Sequence, residues 1–462
     1  MSELTIYPEA FLNRMKNILG DEYDAFIQSL DESSPTSIRL NPFKYVVGQA
    51  TNNSSALVGR LTNESLNTEE KIPWCENGRY LKERPSFTFD PLFHAGTYYV
   101  QEASSMFIEQ AWKQINPKNE AVRVLDMCAA PGGKSSHLLS LMNEESLLVS
   151  NEIIPNRNKT LQQNIVKWGT ANCIVTQNKP EDFSALEDFF DIILIDAPCS
   201  GEGLFRKDKD AIDEWSEKNV ELCSIRQKEI LKHAVACLKH GGFIIYSTCT
   251  FEEAENDKQI AELGMLNAEL EIQDFGQVKT KYGYQFYPYK IKGEGFYISV
   301  VKKEGEFGNQ KSEIRNQNKQ STIHNQFLRE AEKFHEHTKN DMLFAIPQSI
   351  YSDFLFLESQ FYIRHAGIFM GTCLSGRQAT KGKDFLPSHD LALSNYIKQD
   401  LPSVELNYDD AIIYLRCETP KIKTEHRGWC LVKYQNQNLG WIKAMEGRIN
   451  NYFPKELRIL KR

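Results

Sequence analysis

Two cysteines, Cys199 and Cys249, are the side chains of this sequence best placed to do chemistry. Cys199 lies in FDIILIDAPCSGEG (190–203) and Cys249 in GGFIIYSTCTF (241–251), each following an apolar run that reads as a buried strand. A thiolate at the carboxyl edge of a parallel sheet is a nucleophile facing the crevice where such sheets bind ligands. Upstream, VLDMCAAPGGK (124–134) sets a Gly-rich turn after another strand. Two thiols beside a pocket of the nucleotide-binding type point to covalent chemistry on an electron-poor ring. Buried, inert cysteine is the ordinary state of this residue, and it suits Cys173, Cys223 and Cys237, which sit among apolar residues. It suits Cys199 and Cys249 poorly.

Other polar residues fall at the same strand ends. Glu152 follows Gly132 by 20 residues, the spacing at which an acid after a strand–turn–helix takes ribose hydroxyls. Alone, Glu152 reads as a helix-capping carboxylate; with the turn, ribose binding is the stronger reading. Asn178 suits either an adenine edge or an Asx turn. Asp196 follows Ile-Leu-Ile and cannot stay buried unpaired, so it must face the crevice or find a cation. Pro198 fixes the backbone that aims Cys199.

Carbon 5 of cytosine is a poor nucleophile and cannot attack a methyl sulfonium unaided. A thiolate adding to carbon 6 makes the ring an enamine with electron density at carbon 5. Methyl transfer can then follow, and a base removes the carbon 5 proton so that the thiol leaves. A free thiol is only slightly ionised at neutral pH, so a nearby cation is needed. Lys134, on the Gly turn, is the leading candidate, with cofactor contact or plain surface as its other readings. Asp196 could hold the ring through N3 or the exocyclic amine.

The elements that must position these groups alternate between strand and helix from 101 to 303, as in a doubly wound sheet. VRVLDM (122–127), SLLVSNE (146–152), ANCIVTQN (171–178), FDIILIDA (190–197) and GGFIIYSTC (241–249) read as its strands. A helix over 225–241 is expected to stop at Gly241-Gly242, and GFYISVVKK (295–303) to add an antiparallel strand at one edge. Residues 1–100 form a lead-in domain, with an amphipathic helix at 7–19 (Phe11, Met15, Leu19), a strand in SIRLNPF (37–43) and a polar loop over 49–71. A polar linker is expected at 304–325, a small α/β domain at 326–390 with strands MLFAIP (342–347) and FYIRHAGIFMGT (361–372), and a basic β-rich module at 391–462. In that module WCLVKY and LGWIKA flank a turn QNQN.

Composition sets limits around this. The chain has 462 residues, 41% of them hydrophobic, and a formal net charge of −8. No apolar run approaches the roughly 18 residues of a membrane span, and the start lacks the pattern of a secretory signal. Ten cysteines without a CxxC pair fit a reduced, cytoplasmic protein, and no Cys/His spacing for structural zinc appears, so no metal is expected. The charge is uneven: residues 421–462 carry ten Lys/Arg against three Glu, a net of +7. Trp429, Tyr434, Trp441, Tyr452 and Phe453 interleave with those cations, which suits nucleic acid as well as a solvated face.

At these residues the chain resembles the Sun family of RNA 5-methylcytosine methyltransferases. The matching segments are LDMCAAPGGKSSHL (125–138), LIDAPCSGEGLFRKD (194–208) and YSTCTFEEAEND (246–257), with FHAGTYYVQEASSM (93–106) before them. The likeness covers residues 1–303; the tail with NYFPKELRI resembles the PUA-like module of bacterial F-type small-subunit ribosomal RNA methyltransferases. The resemblance implies an α/β fold: a Rossmann-like, S-adenosylmethionine-dependent methyltransferase sheet with a small N-terminal α+β domain and a C-terminal β-rich PUA-like module. It implies Cys249 as nucleophile and Cys199 as the thiol that assists breakdown of the adduct. Cys128, Ala129, Ala130, Pro131, Gly132, Gly133 and Lys134 would wrap the methionine and ribose of S-adenosyl-L-methionine. Glu152 would bind ribose, Arg157 would join the cofactor site, and Asp196 would lie between cofactor and base. The adenine-side position is acidic in relatives, whereas TQNKPED offers Asn178 or, shifted, Lys179. The implied activity is methylation of carbon 5 of a cytosine in RNA, 16S ribosomal RNA first and transfer RNA as the alternative. The partner would be ribosomal RNA or the small subunit, met by a cytoplasmic monomer.

Rival readings fit less well. An amino-group methyltransferase would carry Asp/Asn-Pro-Pro-aromatic where this chain has Asp-Ala-Pro-Cys. A dehydrogenase would want GxGxxG and has no use for two crevice thiols. A DNA cytosine methyltransferase would attack with the Pro-Cys thiol, Cys199, and the Ser-Thr-Cys strand with its basic tail favours RNA. A ribosome-assembly factor that has lost activity would not need the full set of crevice residues.

Overall fold

The computed structural model describes residues 7–44, 68–268, 270–305, 326–374 and 384–460. The polar loop expected at 49–71 lies mostly outside them, as does nearly all of the linker expected at 304–325.

At the N-terminus, helix Glu9–Leu19 buries Phe11 and Met15 on one face, as their spacing of four predicts. A four-stranded sheet follows in the order β2-β3-β1-β4, with β1 Thr36–Leu40, β2 Thr68–Lys71, β3 Gly78–Leu81 and β4 Tyr98–Val100.

The central sheet carries five parallel strands: β5 Arg123–Asp126, β6 Leu147–Asn151, β7 Cys173–Thr176, β8 Phe190–Asp196 and β9 Leu238–Thr248. They are ordered β9-β8-β5-β6-β7. The chain winds outward through β6 and β7, then returns to β8 on the other side of β5. The crevice therefore opens at the carboxyl ends of β5 and β8. Successive strand residues face opposite layers: Val124, Ile192 and Leu194 pack on one side, Leu125, Ile193 and Ile195 on the other.

Beyond β9 lie β10 Leu266–Asn267, β11 Val278–Lys279, β12 Gly283–Phe286 and β13 Phe296–Lys302. The 295–303 strand is antiparallel as expected, but it is not an edge, because β12 and β11 continue the sheet outside it. The helix expected at 225–241 runs instead from Glu217 to Cys237, capped by Ser216 Oγ accepting from Asn219 N–H. Leu238 already pairs with Phe190 in the ladder. Gly241, at φ +77°, bends β9 rather than ending the helix, and a Cβ on Gly242 would sit 2.7 Å from Asp191 O.

The third unit holds β14 Phe334–Lys339, β15 Met342–Pro347, β16 Ile363–Ala366, β17 Ile368–Leu374 and β18 Asp384–Pro387. FYIRHAGIFMGT, expected to be one strand, is two. Gly367, at φ +60°, turns the chain from β16, which pairs antiparallel with β7 of the central sheet, into β17, which pairs with β15. Ile346, Ile350, Phe354, Leu357, Phe361 and Ala366 share one apolar cluster with the central sheet, and Arg123 binds Asp353 through two hydrogen bonds of 2.8 and 2.9 Å. The polar stretch at 304–325 therefore does not separate two independent halves.

The last module is the sheet β19 Ser403–Glu405, β20 Gly428–Tyr434, β21 Gln437–Met445 and β22 Arg448–Asn451. Its hairpin turn is shorter than the expected QNQN: Tyr434 pairs with Gln437, and Gln435 and Asn436 alone make the turn, both at positive φ. Of the five aromatics read as stacking faces, Tyr434, Trp441 and Phe453 are buried core. Trp429 and Tyr452 remain near the surface, edge to face at 4.5 Å with Lys443 over Trp429. Val404, Ile412, Val432 and Phe453 pack with Ile38, Leu40, Leu92 and Tyr98, so this module covers the N-terminal sheet.

Candidate active site

The Gly turn runs from Met127, after β5, into helix Gly133–Leu141. Gly132 is at φ +108°, where a side chain would be strained, and a Cβ there would meet Leu161 at 3.2 Å. The turn leans on helix Pro155–Trp168. Asn164 Nδ2 donates to Pro131 O at 2.7 Å and Arg157 Nη2 to Ala130 O at 3.0 Å. Arg157, half exposed, thus braces the turn and faces Glu152 at 3.4 Å.

Cys128, Ala129, Ala130, Pro131, Gly133, Lys134 and Asp196 line a cavity of about 190 Å³. Gly132, Glu152, Arg157 and Asn178 are not among its walls. Glu152 is buried, and its Oε1 accepts from Ile154 N–H at 2.8 Å, the capping contact open to it from the start. Asn178 gives its side-chain oxygen to Tyr362 N–H at 3.0 Å, which ties the end of β7 to the residue before β16.

Sequence reasoning gave no role to the opposite wall, Tyr99, Val100, Gln101, Glu102 and Ser105. These lie within the 93–106 segment that matched the family, which was the available signal. It also passed over Asp126. Burial pushes that carboxyl up to about 7; Ser135 donates to Oδ2 at 2.6 Å, and buried Oδ1 has no partner among the described residues. A second cavity of about 370 Å³ shares Val100, Gln101 and Glu102 with the first and is lined by Arg84, Arg206 and Lys207. Arg206 is held by Glu294 at 2.9 Å.

Asp196 meets both conditions set for it. It stands in the crevice and binds Lys134 Nζ at 2.7 Å, with Ser247 Oγ donating to the same oxygen at 2.9 Å. Burial pushes the Lys134 ammonium down, but Asp196 and then Cys249 outweigh it and raise its pKa. Beside this pair the thiols converge. The Sγ atoms of Cys199 and Cys249 are 3.1 Å apart, and Cys249 N–H donates to Cys199 Sγ at 3.3 Å. The Cys199 thiol is held well above its ordinary pKa by its hydrogen bond to Cys249, then by loss of solvent and by the charges of Cys249 and Glu255.

Folding also assembles a group that spacing along the chain could not show. Cys75, Glu109 and His137 bring possible metal-ligand atoms within 4.8 Å of one another, all three buried. Lys113 Nζ at 2.6 Å and Glu76 N–H at 3.1 Å already occupy Glu109 Oε1, so its charge is balanced within the protein. A larger cavity, about 630 Å³, opens at the opposite edge of the sheet around Arg123, Asp191 and Lys239. Its cations are paired, Lys239 with Asp191 at 2.7 Å and Arg123 with Asp353 at 2.8 Å.

The sheet order, the Gly turn and the crevice define the methyltransferase class that uses S-adenosylmethionine. The family described as 16S rRNA methyltransferase RsmB/F matches residues 113–302, the N-terminal domain of 16S rRNA methyltransferase RsmF matches 7–103, and the RsmF PUA domain matches 401–459. The chain belongs to the RsmB/F family of 16S ribosomal RNA methyltransferases. Ribosomal RNA small subunit methyltransferase F of Shewanella piezotolerans is 28% identical over 98% of this chain and 97% of its own. The Escherichia coli O157:H7 protein of that name is 36% identical over 56% of this chain and 53% of its own, about half of each. Among solved structures, a methyltransferase homologue from Pyrococcus horikoshii has a TM-score of 0.53 at 27% identity, over 64% of this chain and 95% of its own. NSun6 from the same organism, at 20% identity and a TM-score of 0.54 over 66% and 100%, shares the fold. Among the described residues no helix is long and apolar enough to cross a membrane.

Proposed function

We propose that this protein methylates carbon 5 of a cytosine in 16S ribosomal RNA through a covalent adduct on Cys249. The observation that carries the reading is the 3.1 Å approach of two sulfurs on adjacent strand ends, beside an ion-paired lysine.

The pocket suits S-adenosylmethionine. Asp126 Oδ1 is buried without a partner on its wall, and the amino group of a methionine moiety would complete it. A Cβ on Gly133 would press the Tyr99 ring at 3.2 Å, so the glycine lets the two walls of the pocket close on each other. Cys128 through Lys134 would hold the methionine end and Glu152 the ribose, with Arg157 bracing both; Asn178 or Lys179 would meet the adenine. When bound, S-adenosylmethionine supplies a methyl group made electrophilic by its sulfonium.

The chain's own residues do the rest. Asp196 holds the cytosine edge, fixed by Lys134 and Ser247. Cys249 is the sulfur that attacks carbon 6, with the charge of the Lys134 ammonium acting on it. Bond formation takes the Cys249 sulfur out of the pair and ends the hydrogen bond by which it raises the Cys199 pKa. Once carbon 5 carries the methyl group, Cys199, its own proton given up to solvent, accepts the carbon 5 proton, and the carbon–sulfur bond breaks to return Cys249 as thiolate. RNA would enter along the cavity lined by Arg84 and Lys207, with Trp429, Tyr452 and the basic tail as further contacts. The reaction is that of a cytoplasmic monomer without a metal.

Bisulfite sequencing of 16S and transfer RNA, with and without this protein, tests the reading. A resistant cytosine in 16S RNA that disappears with the protein is expected; its appearance in transfer RNA alone would move the substrate, and none in either would refute the activity. A finer test concerns the cofactor. Glu152→Ala should weaken S-adenosylhomocysteine roughly 10- to 150-fold, the range of one or two charge-assisted bonds. Unchanged affinity by calorimetry would leave Glu152 as a helix cap.

A further inference from the structure

Two adjacent buried residues, Glu255 and Asn256, sit between the loops that carry the thiols. Glu255 Oε2 accepts from Ser200 N–H at 3.0 Å and from Gln227 Nε2 at 2.8 Å. Gln227 Nε2 also donates to Pro198 O at 2.9 Å. The peptide groups on both flanks of Cys199 are thus held by one carboxylate–amide pair, itself fully buried. Asn256 bridges the two neighbours of Cys249: the Thr248 side-chain hydroxyl donates to its Oδ1 at 2.6 Å, and its Nδ2 donates to the Thr250 peptide oxygen at 3.1 Å. Tyr246 OH, from β9, donates to Glu255 O at 2.7 Å and anchors the pair.

We propose that Glu255, with Gln227, is the positioning residue that keeps Cys199 where it can release the covalent adduct, while Asn256 keeps Cys249 where it can attack. The assignment rests on the covalent reading above. Burial pushes the Glu255 carboxyl up to about 7, so at neutral pH it is not reliably charged. Its contribution is an oxygen placed for two donors. A glutamine keeps such an oxygen and an alanine does not.

The test measures turnover of 16S RNA, S-adenosylhomocysteine affinity, and protein–RNA adduct on denaturing gels. Glu255→Ala should accumulate adduct as Cys199→Ala does, with turnover down about 10- to 100-fold and cofactor affinity unchanged. Glu255→Gln should restore most of that loss. Asn256→Ala should lose turnover without accumulating adduct. If Glu255→Ala does not fold, Gln227→Met, which keeps the volume and removes both donated bonds, must trap adduct in its place. Normal turnover in Glu255→Ala, turnover lost without adduct, or Glu255→Gln as damaged as alanine would each overturn the clamp. Cys199→Ala separates the two layers: adduct there but not in Glu255→Ala refutes the clamp alone, and no adduct in Cys199→Ala refutes the covalent reading beneath it.

Discussion

Cys249→Ala should abolish turnover and form no covalent adduct with RNA, whereas Cys199→Ala should trap a protein–RNA adduct that survives denaturing gels. The sulfurs are 3.1 Å apart, so both can reach the ring, and the difference lies in the step that each serves. The neighbouring sulfur and burial raise the Cys199 pKa, which suits this thiol to the release step, so removing it leaves a nucleophile that attacks without means of release. Losing the nucleophile should cost on the order of 10⁴-fold in rate or more, as in other enzymes whose nucleophile is deleted. Adduct in Cys249→Ala but not in Cys199→Ala would reverse the roles. Near-normal turnover in both would mean that no covalent intermediate forms.

The second large effect is on stability. A chain ending at residue 325 should fail to fold, although its sequence divides there into a complete sheet and a separate remainder. Ile346, Ile350, Phe354, Leu357 and Phe361 are five large apolar side chains in the cluster under the central sheet. At about 1.5–3 kcal/mol for each such burial, their removal forfeits about 8–15 kcal/mol, comparable to the whole net stability of a domain, ~5–15 kcal/mol. The truncation also strips β16 from β7, leaving an unpaired edge, and uncovers the N-terminal sheet. Circular dichroism and calorimetry with S-adenosylhomocysteine check this. A soluble fragment that melts cooperatively and binds the cofactor would show that the shared core is dispensable.

What could be read from the chain, and what could not, divides along the range of the interactions. The five parallel strands and the convergence of Asp196, Cys199 and Cys249 on one edge follow from local apolar runs and turn residues, which act over a few positions. The ladder partner of Ile363–Ala366 could not be read, because it is chosen by an edge nearly two hundred residues earlier. Gly241 misled for a related reason: after an amphipathic run a glycine pair reads as a helix stop, yet here tertiary pairing claims Leu238 first. The tail aromatics show the limit of composition, since burial of Trp441 and Phe453 depends on a hairpin closing and on Tyr414 and His389 packing behind. Glu255 and Gln227 were invisible for the same cause. Neither stands in a Gly turn or at a strand end, and their meaning comes from the two backbone flanks they join.

The packing of the last module on the first sheet has a consequence for how the molecule comes to exist. During synthesis Ile38, Leu40, Leu92 and Tyr98 emerge some three hundred residues before Val404, Val432 and Phe453, which cover them. For most of translation that apolar face must stay exposed or be shielded by another protein, and native contacts of such separation form slowly. β7 likewise waits, unpaired on one side, for β16. A ribosome paused after Cys249 but before Ile363–Ala366 of β16 therefore presents a nascent chain holding both thiols of the crevice without the strand that pairs with β7. Maturation of the first sheet therefore waits for Val404, Val432 and Phe453.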